Sequence, residues 1–398
     1  MDGWSMLSIV GLILVMYLLW NYVGAPVSNK CSKLLQQDSL YTLGPFKGGN
    51  KVKSYYYLNN PNDKVKVKME ELQDLSLKEF YIKAAYNCCA LGNLKYDYVD
   101  LCALKYCIKH GARCLDFEIY SIKDRPVVAV SSVVNNYAKE SYNSIPFAQA
   151  IDTINAYAFS NGYSPNPTDP LFINLRIRSV NKKIYNDMAD ILYSKLERRM
   201  LGKDYSYGSC NAIAKDGAHK NSHICTSLGD TPLKKLKNKV IIMLQEDPPS
   251  NSIATETKLY EYINVSNLTD NYRTMREEEV HGTHDLASLV NYTSKYLCMV
   301  TPNLSSVDDN PAANIIQRMG VHFIGMNFQN RDNNLIVYEK FFKDQAFVRK
   351  GIEQKVSSEY LINRPIVVTS IYKKDPTQNQ CTYQLNLAGQ DAKKPSLI

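Results

Sequence analysis

No long run of basic residues occurs anywhere in this 398-residue chain, although 47 Lys and Arg outnumber 39 Asp and Glu and give a formal net charge of +8. Charge spread in this way reads as a solvated, mildly cationic surface. The sharper reading is attraction to anionic phospholipid headgroups, because each basic group near such a surface contributes about 1 kcal/mol. No nucleic-acid motif is present, so no nucleic-acid partner is expected. A disulfide framework is also lacking. Of the ten cysteines, Cys88, Cys89, Cys102, Cys107, Cys114 and Cys298 sit inside apolar runs and read as buried thiols. That usage leans towards a reducing compartment. Nor is this the composition of a disordered chain. With 45% apolar residues it is rich enough for a sizeable core, in one large domain or two ordinary ones.

The run Met6 to Val23 carries no charge. At ~1.5 Å per residue its 18 positions reach about 27 Å, close to the ~30 Å hydrocarbon core of a bilayer. Trp4, Trp20 and Tyr22 sit near its ends, where interface anchors belong. The rival reading is a cleaved signal peptide ending near Val23-Gly24-Ala25, but no basic residue precedes the run. The expectation is a retained, single-pass N-terminal anchor whose partner is the lipid bilayer. Lys30 and Lys33 follow the run and only Asp2 precedes it, which places the bulk of the chain on the cytoplasmic side. Glycosylation sequons at Asn264, Asn267, Asn291 and Asn303 argue the other way, but sequons arise often by chance in an Asn-rich chain.

The stretch Phe80 to Ser132 organises the rest. An apolar run, Phe80 to Tyr86, ends in a polar turn at Asn87. Tyr98 to His110 has a broad apolar helical face and stops at Gly111, as at a left-handed cap. Two short β-like runs follow, Arg113 to Ile119 and Val127 to Val130. A strand, a helix and two strands on short links suggest parallel βαβ units. Further on, Phe147 to Tyr157 and Lys182 to Leu201 read as amphipathic helices, and Leu171 to Arg176 as a strand. Ser28 to Asp74 reads as a polar stalk with irregular strands such as Lys51 to Leu58. Pro365 to Tyr372 and Thr382 to Leu387 read as a short β-rich tail.

The central stretch resembles the X region of phosphoinositide-specific phospholipase C and its glycerophosphodiesterase-like relatives. Ala84-Ala85-Tyr86-Asn87-Cys88-Cys89 falls on a motif reading roughly S-S-H-N-T-Y. Gly111-Ala112-Arg113-Cys114-Leu115-Asp116-Phe117-Glu118 falls on G-C-R-C-(V/L)-E-(L/I)-D, and Pro126-Val127-Val128-Ala129-Val130 on P-(I/V)-(I/V)-x-H. Thr231 to Met243 is similar to P-x-x-L-K-x-K-I-L-V-K, and Gly320 to Gln329 to G-C-Q-M-V-A-L-N-F-Q. The resemblance runs from about Leu75 to Lys350. It implies an α/β fold, a distorted (β/α)8 TIM barrel of the phospholipase C-like phosphodiesterase type, with the site at the C-terminal ends of the strands. The expected organisation is an anchor at 1–27, a stalk at 28–74, the barrel at 75–350 and an extension at 351–398.

The resemblance implies a phosphodiester split by two histidines acting as acid and base, with calcium held by Asn and acidic oxygens in eukaryotic members. This chain departs from that plan. Tyr86 stands where the first histidine belongs and Val130 where the second belongs. A phenol with a pKa near ~10 is a poor base at pH 7, and valine transfers no proton. Asn87, Asp116 and Glu118 keep calcium-type oxygens, but Arg176 stands where a third acidic ligand belongs and Met243 replaces a lysine near the phosphate. A guanidinium there repels a cation and pairs more naturally with Asp116 or Glu118. The expectation is therefore a vestigial site, with no metal and no cofactor, in a catalytically inactive membrane-anchored barrel serving as a binding or scaffold component. The alternative is a residual phosphoric diester hydrolase acting on phosphoinositides with calcium. The anchor, the divergence and the Asn/Lys/Tyr-rich composition are similar to those of large DNA viruses, which adds a virion membrane and other virion proteins to the expected setting.

Two weaker clusters remain open. Cys210, His219, His223 and Cys225 have zinc-binding side chains at no standard spacing. Glu277 to Glu279 with His281 and His284 reads as a solvated turn, with a metal cluster as the other reading. His110, at a helix end, and His322, in a strand, read as structural.

Overall fold

The computed structural model describes residues 11–16, 25–40, 55–57, 66–68, 74–133, 138–202, 205–206, 228–246, 253–269, 271–305, 307–351, 373–374 and 381–382. Helix α1 (Ala25–Leu40) comes first, followed by an antiparallel pair, β1 (Tyr55–Tyr57) and β2 (Lys66–Lys68). Eight parallel strands then make the wall of a barrel: β3 (Phe80–Ala85), β4 (Cys114–Ile122), β7 (Leu171–Arg178), β8 (Val240–Gln245), β9 (Val265–Ser266), β10 (Tyr272–Arg276), β11 (Leu297–Thr301) and β12 (Phe323–Met326). Neighbours in space follow chain order, and β12 returns to pair with β3. Among the described residues the ring stays open at one seam, because β9 pairs only with β8 and β10 only with β11. Helices α2 (Leu101–Lys109), α3 (Phe147–Tyr157), α4 (Lys182–Leu196), α5 (Glu277–His281), α6 (Leu286–Lys295), α7 (Ala313–Gln317) and α8 (Asn333–Phe341) fall between the strands.

The period of two along β4 and β7 builds this wall. Leu115, Phe117 and Ile119 with Leu171, Ile173, Leu175 and Ile177 join the large apolar cluster that also holds the helices. Cys114 and Phe172 join a second cluster with Ile82, Ala84, Ile241, Met243 and Phe323, which plugs the lower barrel. Above that plug the same inward face turns polar: Asp116, Glu118 and Tyr120 on β4 stand in register with Asn174, Arg176 and Arg178 on β7.

Several expectations change. The run after β4 is not a parallel barrel strand. Strand β5 (Arg125–Ala129) folds back antiparallel on β4 and pairs with the short β6 (Ile145–Pro146). The reason is the two-residue turn Lys123-Asp124, with φ 51 and 56, which is hairpin geometry. Helix α2 begins at Leu101 instead of Tyr98, because the Asp100 side chain caps it by accepting from Cys102 N. It ends as expected before Gly111, whose φ is 78. Helix α4 stops at Leu196 and continues as a 3₁₀ turn, Glu197–Arg199. Residues read as the start of a stalk form α1, which docks on the barrel. Cys102 is not a free thiol: it is bonded to Cys31 of α1, with Cα atoms 6.0 Å apart. Cys88, Cys89, Cys107, Cys114 and Cys298 are free and buried.

No helix among the described residues is long and apolar enough to cross a membrane. Of the run Met6 to Val23, residues 11–16 are described. They are helical, and Leu12 to Met16 are exposed. The tail readings lie outside the described residues apart from Thr382, in the pair β14 (Lys373–Lys374) and β15 (Cys381–Thr382). The cluster Cys210, His219, His223 and Cys225 also lies outside them.

Candidate active site at the barrel mouth

Asn87 leaves β3 at a φ of 43, a left-handed conformation that asparagine tolerates better than most residues. That turn aims its backbone N–H at Asp116 Oδ1, 3.1 Å away. Asp116 also accepts from Asn174 Nδ2 at 2.7 Å. The remaining lone pairs go to Arg176, which donates from Nε at 3.0 Å to Oδ2 and from Nη2 at 2.8 Å to Oδ1. The same Nη2 donates to Asn87 Oδ1 at 2.5 Å, and Nη1 lies 3.4 Å from Glu118 Oε2. Glu118 is completed by Arg178 Nε and the Tyr120 hydroxyl, both at 3.0 Å. Asp116, Glu118 and Arg176 are at most 3% exposed. Two carboxylates and two guanidiniums thus form a buried, interlocked quartet.

Tyr86 closes the quartet from β3, its ring 4.4 Å from the Arg176 guanidinium carbon. The fit needs Gly325 on β12, where a Cβ would stand 3.1 Å from that of Tyr86. Burial holds the phenol above its ordinary pKa, although Arg176 pulls the other way, so it keeps its proton at neutral pH. Burial alone would lower the Arg176 pKa, but Asp116, Tyr86 and Glu118 outweigh it and raise the value further. The arginine is a fixed cation.

Whether calcium suits these residues follows from the oxygens. Asn87 Oδ1 and both oxygens of Asp116 are occupied by N–H donors, and Glu118 is bracketed by two guanidiniums. Asn174 Oδ1 is one buried oxygen without a partner, whereas calcium takes six to eight. The donor set does not fit the ion.

The structure brings Asn87, Asp116, Glu118, Arg176 and Tyr86 together and leaves two expected residues apart. Val130 follows β5 and is buried among apolar side chains, while its neighbour Ser131 reaches Glu118 Oε2 through its backbone N–H at 3.4 Å. Met243 sits a layer lower, in register with Asn174 inside the apolar plug. Gln245 holds the level of Arg176 instead. Asn174, Arg178 and Tyr120 were missed, although their i±2 spacing from Arg176 and Glu118 is the signal that finds them.

His110 and His322 stand elsewhere. His110 caps α2 with Nδ1 2.6 Å from Glu339 Oε1. His322 immediately precedes β12, at the opposite end of the barrel. Its Nδ1 accepts from Cys298 N, so Nε2 carries the proton towards Lys78 O. Burial and Lys350 keep it neutral, well below the ordinary histidine pKa. Among the described residues, Glu277 to Glu279, His281 and His284 form no metal-ligand cluster; the one such group is Cys31, Asp100 and Cys102. The side-chain amides of Asn264 and Asn267 are engaged with backbone groups.

Beside the quartet a cleft of about 650 Å³ opens at the mouth and follows the seam between β9 and β10. Gln245, Asn267, Arg273 and Arg276 are among its lining, together with the acids Glu246 and Glu279. Arg273 lies over the ring of Tyr292 at 4.3 Å. Among the described residues neither Arg273 nor Arg276 pairs with a carboxylate.

Residues 73–245 match the family model described as phosphatidylinositol-specific phospholipase C, X domain. Over that stretch the chain is phospholipase C-like. Two solved structures agree in fold. PLC21 of S. officinalis superposes with a TM-score of 0.56 at 14% identity, and that of L. pealei with 0.55 at 14%. In both cases 71% of this chain is covered, and this chain spans 38% of theirs. A calcium-dependent phosphoinositol-specific phospholipase C from a Pseudomonas sp. gives a TM-score of 0.40 at 8% identity, over 70% of this chain and 96% of that one. No curated protein sequence matches. The phospholipase C-like barrel thus carries its quartet where strands of such barrels end, at the C-terminal face.

Proposed function

We propose that this phospholipase C-like barrel binds at a membrane without cutting phosphodiesters. The observation that carries the reading is the Arg176 guanidinium, which donates to Asp116 and Asn87 and stands beside Glu118. The mouth holds a phenol that keeps its proton, and the valine aligned with the second proton carrier lies apart, buried among apolar side chains. Arg273 and Arg276 in the neighbouring cleft suit an anionic phospholipid headgroup. Tyr96, Tyr142, Val180, Leu304 and Val307 are exposed on loops around the mouth, a surface suited to the interfacial zone of a bilayer. In this reading the run Met6 to Val23 supplies the anchor.

Turnover of phosphatidylinositol by the purified chain, with calcium and with chelator, tests the first half. No turnover is expected in either, and calcium-dependent turnover lost in Asp116→Ala overturns the reading in favour of a residual hydrolase. Vesicle flotation tests the second half. Vesicles containing anionic lipid are expected to carry more protein than neutral ones, and Arg273→Glu to lose at least about half of that excess. Equal flotation with both lipids refutes headgroup binding.

A further inference from the structure

Helix α1 is held to the barrel at three points. Lys30 Nζ lies 2.6 Å from Asp97 Oδ2. Cys31 is bonded to Cys102 on α2. Leu34 is buried in the main apolar cluster. Asp97 does more than pair with Lys30. Its Oδ2 accepts from Asn93 N at 3.1 Å, its Oδ1 from Tyr98 N at 2.7 Å, and its carbonyl from Tyr142 N at 2.7 Å. One residue therefore shapes the β3–α2 loop, which begins at the site residue Asn87 and carries the exposed Tyr96. Packing there is close: a Cβ on Gly92 would run into the Asp97 carboxylate and approach Lys30 Nζ.

The two bonded sulfurs belong to half-buried residues. The five free cysteines described are buried, and burial pushes each thiol above its ordinary range. Among the described cysteines, an external thiolate therefore meets its accessible target at Cys31–Cys102.

We propose that Cys31–Cys102 is a thiol-exchange site whose redox state sets how firmly α1 clasps the mouth loop. The reductant is a dithiol. One of its thiolates attacks a sulfur of the bond, the S–S bond breaks, and the departing sulfur takes a proton. The second thiolate then attacks the reductant's own sulfur in the mixed disulfide and expels the remaining protein sulfur, which takes a proton. The reductant leaves as a cyclic disulfide, having given two electrons, and Cys31 and Cys102 end as two thiols. The Asp100 carboxylate lies beside the bond, with Oδ1 3.5 Å from the Cys31 sulfur. With the bond open, the contacts α1 retains include Leu34, the partly buried Val27 and an ion pair whose lysine side chain is 36% exposed. Such a pair holds weakly on its own. As α1 leaves, Asp97 loses the ammonium that neutralises it, and the loop amides of Asn93 and Tyr98 open more often. This coupling does not depend on whether the barrel turns over lipid.

Hydrogen exchange on the full chain, with and without dithiothreitol, tests it. In dithiothreitol, and in Cys31→Ser without it, amides of residues 26–37 and 91–99 are expected to exchange at least about tenfold faster, with β4 and β7 unchanged. Lys30→Ala is expected to speed the loop while the intact bond keeps the helix slow. The proposal is overturned if dithiothreitol leaves the helix protected, or frees the helix without affecting the loop. It is also overturned if alkylation of the denatured, unreduced chain labels both Cys31 and Cys102.

Discussion

Replacing Arg176 is the most direct probe of the mouth. In Arg176→Ala, Asp116 keeps the Asn87 N–H and the Asn174 amide, and Glu118 keeps Arg178 and the Tyr120 hydroxyl. Asp116 loses its charged partner in a site that is 0% exposed. Removing one member of a buried pair costs about 3–5 kcal/mol, because the other charge stays buried. At about 2 °C per kcal/mol for a domain of this size, Tm should fall by about 6–10 °C. Arg176→Glu should fall at least as far in chelator, since the quartet changes from two charges of each sign to three acids and one base. Three carboxylates and Asn87 then suit a hard cation. Calcium at 100 times its Kd would return about 2.7 kcal/mol, or about 5 °C. Thermal unfolding of wild type and both variants, in chelator and in millimolar calcium, reads all of this. A wild-type Tm that climbs several degrees with calcium would refute the reasoning, because the ion would then have a place beside the guanidinium. So would an Arg176→Ala variant that unfolds within about 2 °C of wild type.

A second charged cluster predicts acid behaviour. Burial alone would raise the Glu339 pKa, but the His110 hydrogen bond and the charges of Lys83, His110 and Arg331 bring it down to about 2. A depressed carboxyl pKa stabilises the fold above its unfolded value near ~4.5, and that contribution is lost as pH falls towards 2. At 1.36 kcal/mol per unit it amounts to about 3 kcal/mol. Glu339→Gln should therefore lose roughly that much at pH 7 and flatten urea-unfolding stability between pH 4.5 and 2; an unchanged acid slope would refute the assignment. Gly320 has a φ of 71, and a Cβ there would run into Thr293 Oγ1, which donates to Met319 O at 2.6 Å. Gly320→Ala should cost about 1–3 kcal/mol in the same assay, and a neutral result would show that the turn relaxes freely.

Much of this barrel was legible from local runs of residues. Arg113 to Ile119 read as a strand from its β-branched and apolar residues and Leu171 to Arg176 from its likeness to a strand of the family, and Phe147 to Tyr157 read as a helix with the bounds found. Legibility failed where a tertiary partner decides the outcome. The turn Lys123-Asp124 carries no glycine, so the return of β5 onto β4 was hidden, and with it the true place of Val130. Arg178 was lost by ending β7 two residues early. Strand β9 is two residues long, too short for any periodic signal. Helix α1 buries Leu34 fully and Val27 and Cys31 only in part, so its sequence reads as a polar stalk. The Cys31–Cys102 bond spans 71 positions, a pairing no spacing rule reveals.

The interlocked quartet has an electrical consequence. Asp116 and Glu118 balance Arg176 and Arg178, so this half of the mouth projects almost no net field into solvent. A headgroup diffusing past it is neither drawn in nor turned away. Long-range steering is left to the rest of the surface, whose net charge is +8 over the whole chain, and its reach shrinks with the Debye length as salt is added.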